Sequence, residues 1–558
     1  MKDCDMIQIF SQKRLPLKGD GQLHRVNNFM QLFREKQSSV LRPTLLKLSS
    51  HTTMATEDDT LLDSISENSS SGSPQMVDSV ISESWTDLNE NDVEENLPSP
   101  PLSEIIERAV VVLEKHIGNV MNWRAKKISD LAAVTASAHG GNSCTNAQTV
   151  SAKDSRTDSI TLDDLQRKEL VQFISTIASM YNNVLYHNFE HASHVLASSD
   201  SLIQMLQTND KRVTASGSGA KSQSTSGDEL EASEEKRHHL TTFGISSCPM
   251  THLALIFSAL VHDVEHQGVG NKQLIEENDV LAQRYAGKSV AENNSLDVSL
   301  DLLHQDCYSN LRKCMFGDKE NSTGNARIEM EHDELLFQHV ILNVIQATDI
   351  SSQDRLEINK KKWKRAFEDT NSRSRCCCQL QVSRQTRRGS APPPFTTKSK
   401  ASSRSRRLSL SLDIDERSPT CTACTTSSNE CLVHINYLRA SSVLEQLIQA
   451  ADVAHSMQCW PIFLKWNAKL YDELWAAKLA GRGADVSEVW FKGQIGFFDN
   501  YIMPLAKRLG QCGVFGELGT LFLENATENR TRWLDEGEER CKEMHERVLR
   551  LQGDATQS

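Results

Sequence analysis

The sequence predicts an all-α protein, and three observations carry the prediction. From Leu162 to about residue 553, apolar residues recur three and four positions apart, the spacing that gathers them on one helix face. The alternating pattern of a half-buried strand is almost absent. Two polar low-complexity stretches, at about 208–240 and 371–430, interrupt the helical pattern without changing it. They read as disordered, solvated insertions within one helical domain.

Composition narrows the class. The chain has 558 residues, of which 38% are hydrophobic and 24% charged, so it can bury a large core but is too polar to be globular throughout. A net charge of −13 argues against a general nucleic-acid binder. No run approaches the roughly 18 to 20 apolar residues that a bilayer crossing needs. The run Met6-Ile7-Gln8-Ile9-Phe10 is too short, and too close to Asp3 and Asp5, for a signal-peptide core. Fourteen scattered cysteines read as reduced thiols. A soluble, cytoplasmic protein is expected, with peripheral membrane association left open by the mildly basic first 50 residues.

Taken in order, residues 1–103 are expected to be largely disordered. After the basic start, residues 51–103 hold a dozen Asp and Glu with no Lys or Arg, in Ser-rich text that cannot bury enough apolar surface to offset chain entropy. Residues 104–158 form a helical lead-in and loop: a helix starts at Ser103, with Ile105, Ile106, Ala109, Val110, Leu113 and Ile117 on one face. The main domain is assigned to 159–553, with its first helix running from Leu162 past Met180. Thr251–Val261 is an apolar helix that ends where a polar cluster begins.

That cluster is His262-Asp263-Val264-Glu265-His266-Gln267-Gly268-Val269-Gly270-Asn271. If the helix continues through it, His262 and His266 share a face. Burying these ionisable groups at the end of an apolar helix is costly unless a metal or strong partners hold them. One His-Asp pair alone would mean no more than a capped helix end. A second cluster, Tyr186-His187-Asn188-Phe189-Glu190-His191, again sets two histidines four apart, and a third, Ala451-Asp452, follows a helix built from Leu444, Leu447 and Ile448. Imidazole with carboxylate suits Zn²⁺, while carboxylate and water suit Mg²⁺ or Mn²⁺. Such a set can hold a two-metal centre suited to in-line displacement at phosphorus.

Here the chain resembles the class I 3',5'-cyclic nucleotide phosphodiesterases, metal-dependent phosphohydrolases of the HD type, over roughly residues 160–550. Six motifs stand in the family's order. They are Tyr-His-Asn-x-x-His at 186–191, His-Asp-x-Glu-His-x-Gly-x-x-Asn at 262–271, Ser289-Val290-Ala291-Glu292-Asn293, Ala347-Thr348-Asp349, Ala451-Asp452, and Gln494-Ile495-Gly496-Phe497. The resemblance implies a compact multi-helix catalytic domain that hydrolyses cAMP, cGMP or both to 5'-monophosphates. It implies that His191, His262, Asp263 and Asp452 hold one ion, expected to be Zn²⁺. Asp263 would also reach a second, Mg²⁺ or Mn²⁺, with a bridging hydroxide attacking phosphorus and O3′ leaving. His187 takes the place of the general acid. His266, Glu292 and Thr348 would orient ligands and metal-bound waters, and Tyr186 would line the phosphate end. Gln494 would hydrogen-bond the purine, held between Phe497 and Leu470. An amide can present a donor or an acceptor, so adenine versus guanine stays open.

Departures from the family pattern are Glu265 for Asp, Asn294 and Ser295 for two histidines, His194 for Asp, His455 for Asn, and Gln273 for an apolar residue. None removes an implied ligand or the acid. A related hydrolase acting on non-cyclic nucleotides, and an inactive nucleotide-binding scaffold, are the competing readings. The former is disfavoured by Gln494 and Phe497, the latter by the intact ligand set. Oligomeric state is not legible.

Two further signals lie in the second insertion. Cys421-x-x-Cys424 lacks a second spaced pair, so a zinc knuckle is disfavoured. Arg387-Arg388-Gly389-Ser390 and Arg406-Arg407-Leu408-Ser409 each place two arginines before a serine, a pattern that basophilic protein kinases accept, as does a plain basic loop. Phosphate on Ser390 or Ser409 would add roughly −1.5 to −2 charge to a basic segment. Activity of wild-type protein is expected to change on treatment with such a kinase and ATP, and that of the Ser390→Ala/Ser409→Ala variant not to. An identical response from both would remove these serines from regulation.

Overall fold

A computed structural model of the protein describes residues 100–138, 160–217, 241–368 and 428–557. Among these residues there is helix and no strand. None of the helices is long and apolar enough to cross a membrane.

The centre is an apolar helix, and the rest is arranged around it. In order, the first elements are α1 (Leu102–Ala138), α2 (Asp164–Met180), α3 (Phe189–Gly217) and α4 (Pro249–Val261). Every residue of α4 from Met250 to Val261 is buried, as a helix apolar on all sides must be. Pro249 starts it where a missing N–H costs nothing. It packs against α1, α3, α9 (Gly324–Gln346) and α11 (Ser428–Asp452). Between α4 and α9 run α5 (Asn271–Glu276), α6 (Val280–Arg284), α7 (Val290–Leu303) and α8 (Ser309–Phe316). Val269, Leu274, Ala282 and Val290 give the α5–α7 region a small apolar cluster of its own. After α9 come α10 (Gln353–Trp363), α12 (Trp460–Leu479), α13 (Trp490–Phe497), α14 (Met503–Gln511) and α15 (Leu521–Gln557).

The helical lead-in is part of the common core. Ala109, Ile117 and Val120 of α1 are fully buried in the same cluster as α4. Polar anchors fix α1 as well: His116 and Lys115 pair with the buried Asp200 of α3 at 2.7 and 3.0 Å. Arg124 donates to the carbonyls of Cys314 and Met315. These last are helix-end carbonyls of α8 that have no partner within their own helix.

Three boundaries differ from the sequence reading. Helix α2 ends at Met180 and does not run past it, because Tyr181 turns extended and its hydroxyl donates to the Leu260 carbonyl at 2.8 Å. Helix α3 continues to Gly217, so the start of the first insertion is helical; residues 218–240 lie outside the described residues. Helix α11 takes in the last residues of the second insertion from Ser428, while 369–427, with Ser390 and Ser409, lie outside the described residues, as do 1–99.

Candidate active site

Three helix ends meet beside α4. Helix α4 stops at Val261, and a turn over His262–Glu265 follows, closed by His266 N–H donating to the Asp263 carbonyl at 3.0 Å. Glu265 takes φ +62°, the left-handed region that ends a helix. His262 and His266 are therefore not successive turns of one helix, as the four-residue spacing suggested. The turn points them into one site from different directions. The same holds upstream: α3 starts at Phe189, so His187 precedes the helix. Asn188 is the cap, its side-chain oxygen accepting from the N–H groups of Glu190 and His191 at 3.0 and 3.2 Å. That cap fixes His191 in the first turn of α3. Asp452 is the last residue of α11.

Together these ends bring His191, His262, Asp263 and Asp452 into contact. His191 Nε2 lies 3.0 Å from Asp452 Oδ1 and 3.7 Å from Asp263 Oδ2. His262 Nε2 lies 3.0 Å from Asp263 Oδ2 and 3.5 Å from Asp452 Oδ1. All four are largely buried, and His191 and His262 completely so. Burial opposes a charge on His262, yet Asp263 and Asp452 raise its pKa well above the ordinary value, and His262 in turn holds Asp263 well below its own. His191 is pushed down by burial.

A divalent cation fits this set. His262 Nδ1 donates to the Ala259 carbonyl at 3.1 Å, which leaves Nε2 as its lone-pair nitrogen. Nε2 of His262 and Oδ2 of Asp263 lie 3.0 Å from one another, and both are buried with no further hydrogen-bond partner. Ligand atoms of His191, His262 and Asp452 all lie within 4.8 Å of one another. Two imidazoles and two carboxylates are a donor set suited to a divalent ion.

Beside this set stands His187, and its orientation depends on a residue that the sequence reading missed. Glu473 of α12 has a buried carboxylate. One oxygen meets His187 Nδ1 at 2.5 Å, and the other accepts from the backbone N–H groups of Tyr186 and His187 at 2.7 and 3.0 Å. Burial alone would deprotonate His187. The charge and hydrogen bond of Glu473, with Asp263 and Asp452 behind it, instead raise its pKa to about 9. Glu473 itself is held at about 2 against its burial, by His187 and the two N–H groups. The His266 ring lies 3.9 Å from the His187 ring and is held neutral, at about 4, by burial and by the charge of His187. Gly268 closes the packing: with φ +68°, a Cβ there would meet Val184 at 3.2 Å and Glu473 at 3.5 Å. Glu473 stands seven residues after Trp466, on the inner face of α12 with Leu470, but nothing in that spacing separates it from a solvated glutamate.

The remaining predicted residues fall into three groups. Tyr186 is a buried floor more than a lining, its ring 4.6 Å from His191 and 5.7 Å from Trp466. Glu292 accepts from Asn271 at 2.9 Å, and burial next to Asp349 raises its pKa to about 8. Thr348 is buried, and its hydroxyl donates back to the Ile345 carbonyl at 2.8 Å. Gln494 is nearly buried on α13, and Phe497 ends that helix, stacked on Tyr501 at 5.4 Å. Burial, and after it the charge of Asp452, raises the pKa of the Tyr501 hydroxyl. Phe497 and Leu470 both pack half-buried against the core.

The departures turn out to be coupled. Glu265 accepts from Asn294 at 2.9 Å, and Ser295 donates to the Val264 carbonyl at 2.8 Å. Both substitutions on α7 therefore hold the turn that carries the lengthened Glu265. His194 bonds Gln458 at 3.0 Å, and both His194 and His455 pack on the ring of Trp466.

A family model described as 3'5'-cyclic nucleotide phosphodiesterase matches residues 186–521, more than half of the chain. The chain is 22% identical over 357 residues to a probable 3',5'-cyclic-AMP phosphodiesterase of Caenorhabditis elegans, covering 61% of this chain and 36% of that protein. It is 23% identical over 209 residues to a cGMP-specific 3',5'-cGMP phosphodiesterase of Dictyostelium discoideum, covering 37% and 32%. It thus spans about a third of the length of these curated relatives. Among solved structures, the phosphodiesterase domain of the RhoPDE fusion protein of Salpingoeca rosetta aligns over 85% of this chain and 99% of that one, at 15% identity and a TM-score of 0.44.

Removing the Glu473 charge should be visible at His187. In metal-free Glu473→Gln protein, the His187 titration followed by NMR is expected to fall from about 9 toward the ordinary value of about 6.5. A midpoint that stays near its wild-type value would mean that Glu473 does not hold the proton.

Proposed function

The chain belongs to the 3'5'-cyclic nucleotide phosphodiesterase family, and on that footing we propose that it hydrolyses 3',5'-cyclic nucleotides to nucleoside 5'-monophosphates and so ends cyclic-nucleotide signals. The observation that carries this reading is the convergence of His191, His262, Asp263 and Asp452 beside a histidine whose proton is held by Glu473.

His191, His262, Asp263 and Asp452 would hold one ion, Zn²⁺ by donor type, and Asp263 would also reach a second, Mg²⁺ or Mn²⁺. Two such ions, when bound, supply a water made acidic enough to attack at neutral pH and offset charge on the phosphate. The chain's own residues do the rest. His187 carries its proton on the ring nitrogen not engaged by Glu473, and delivers it to O3′ as that oxygen leaves phosphorus. Glu473 stays ionised throughout, stabilising the imidazolium through its bond to the ring and holding the backbone of Tyr186 and His187 through two more. His266, neutral beneath His187, keeps the ring from turning away. Glu292 and Asn271, bonded to each other at 2.9 Å, would form a polar wall that orients water at the site. At the other end, the Gln494 amide reads the purine edge, while Phe497 and Leu470 clamp its faces.

The relatives named above divide between cAMP and cGMP, and either amide face of Gln494 serves one of the two purines. Both nucleotides therefore stand as substrates. A cytoplasmic location and a basophilic kinase acting on Ser390 and Ser409 belong to the same proposal.

The roles separate by mutation. His187→Ala is expected to lower kcat by about 10²- to 10⁴-fold with metal content unchanged. Asp452→Ala is expected to lose bound metal, measured by elemental analysis of purified protein. Full activity of His187→Ala on cAMP and cGMP would remove it as the acid.

A further inference from the structure

Away from the His191–His262–Asp263–Asp452 cluster, one polar contact joins two loops distant in sequence. Arg482 stands in the loop after α12. It grips Glu277 with two prongs, Nε to Oε1 at 2.9 Å and Nη2 to Oε2 at 2.8 Å. Nη2 also donates to Gln267 Oε1 at 2.8 Å. On the far side, Gln273 Nε2 donates to Glu277 Oε1 at 2.9 Å. Gln273 is the polar residue that stands where the family pattern has an apolar one, and this contact accounts for it.

Both loops lead directly into the site. Gln267 adjoins His266, whose ring lies against His187, and the next residue, Gly268, packs on Glu473. The Arg482 loop leads into Trp490, whose indole N–H donates to Asn467 of α12 at 3.1 Å, and from there into Gln494 and Phe497. The loop is itself preset. Lys478 pairs with Asp485 at 2.7 Å and covers the Trp475 ring at 3.6 Å, and Gly481 turns at φ +73°.

We propose that Arg482 is a positioning residue. By bridging Glu277 and Gln267 it fixes the segment that supports His187 against the segment that carries Gln494 and Phe497, and so sets how well a nucleotide spans the two. This rests on the cyclic-nucleotide reading and extends it to residues that touch no substrate. An isolated surface ion pair contributes little. A planar guanidinium engaged on three acceptors, with its carboxylate partner fixed by a neighbouring amide, loses less freedom when it forms. Arg482 and Glu277 are 32% and 28% exposed, so salt reaches the pair and screens it.

The test uses the full chain, with Arg482→Ala and the charge-swapped Glu277→Arg/Arg482→Glu, in steady-state kinetics on cAMP and cGMP and in hydrogen exchange. The expected result for Arg482→Ala is a KM raised about fivefold, the scale of a well-aligned, partly exposed pair. Its kcat should stay within about twofold of wild type, with faster exchange confined to residues 266–279 and 480–489. The swapped pair should restore both readouts. An unchanged KM in Arg482→Ala, or a KM not restored by the swap, overturns the proposal, since a merely structural pair would not move KM alone. Exchange needs no substrate. If wild type turned over neither nucleotide, faster exchange in both loops would still support the bridge while the assigned reaction fell. Unchanged exchange would overturn the bridge itself.

Discussion

Four ionisable side chains buried together at the end of an apolar helix are the constraint on which this structure depends. His191, His262, Asp263 and Asp452 lie against α4, whose residues from Met250 onward are all buried. An interior tolerates such a group only if its charges offset one another or a cation enters. The fold meets the requirement by bringing three helix ends to one point, because the end of a helix is where the chain can turn and aim a side chain away from the axis. The Asn188 cap, the left-handed Glu265 and the termination of α11 at Asp452 are three local solutions to that one demand.

The same logic runs through α12. Its inner face carries Trp466 under His191, Leu470 against the core and Glu473 on His187. A single rigid helix therefore sets the partner of His187, the ring under His191 and the Leu470 side chain at fixed spacing. Lys465 and Lys469, paired with Glu190 at the start of α3, join α12 to the segment that holds His187 and His191. A carboxylate placed this way is worth more than its charge. It satisfies two backbone donors that would otherwise be buried alone, and it keeps a proton on an imidazole that burial would strip.

Much of this was legible in the sequence, but by an indirect route. The paired histidines four residues apart marked residues that the structure does bring together, but for the wrong reason: neither pair lies on one continuous helix, and chain turns do what helical periodicity was expected to do. Glu473 was not legible, because one glutamate on an amphipathic helix is indistinguishable from a solvated one until the partner segment, nearly 300 residues away, is seen against it. Glu265, Asn294, Ser295 and Gln273 looked like separate departures. In the structure they are contacts of two small networks, since a lengthened side chain at one position requires a new partner at another. The insertions were recognisable by composition, and the helical start of the first was not, since low-complexity text lacks the apolar stripe that marks a packed helix.

The central claim is that this cluster directs water onto phosphorus while His187 protonates the departing O3′. The most direct measurement is hydrolysis of cAMP and cGMP by wild-type protein, with Zn²⁺ and Mg²⁺, in ¹⁸O-labelled water, with the product read by mass spectrometry. The account predicts a nucleoside 5'-monophosphate carrying one ¹⁸O on the phosphate and none on the ribose. Label on the ribose, a 3'-monophosphate, or no turnover of either nucleotide in a metal-loaded protein would contradict it.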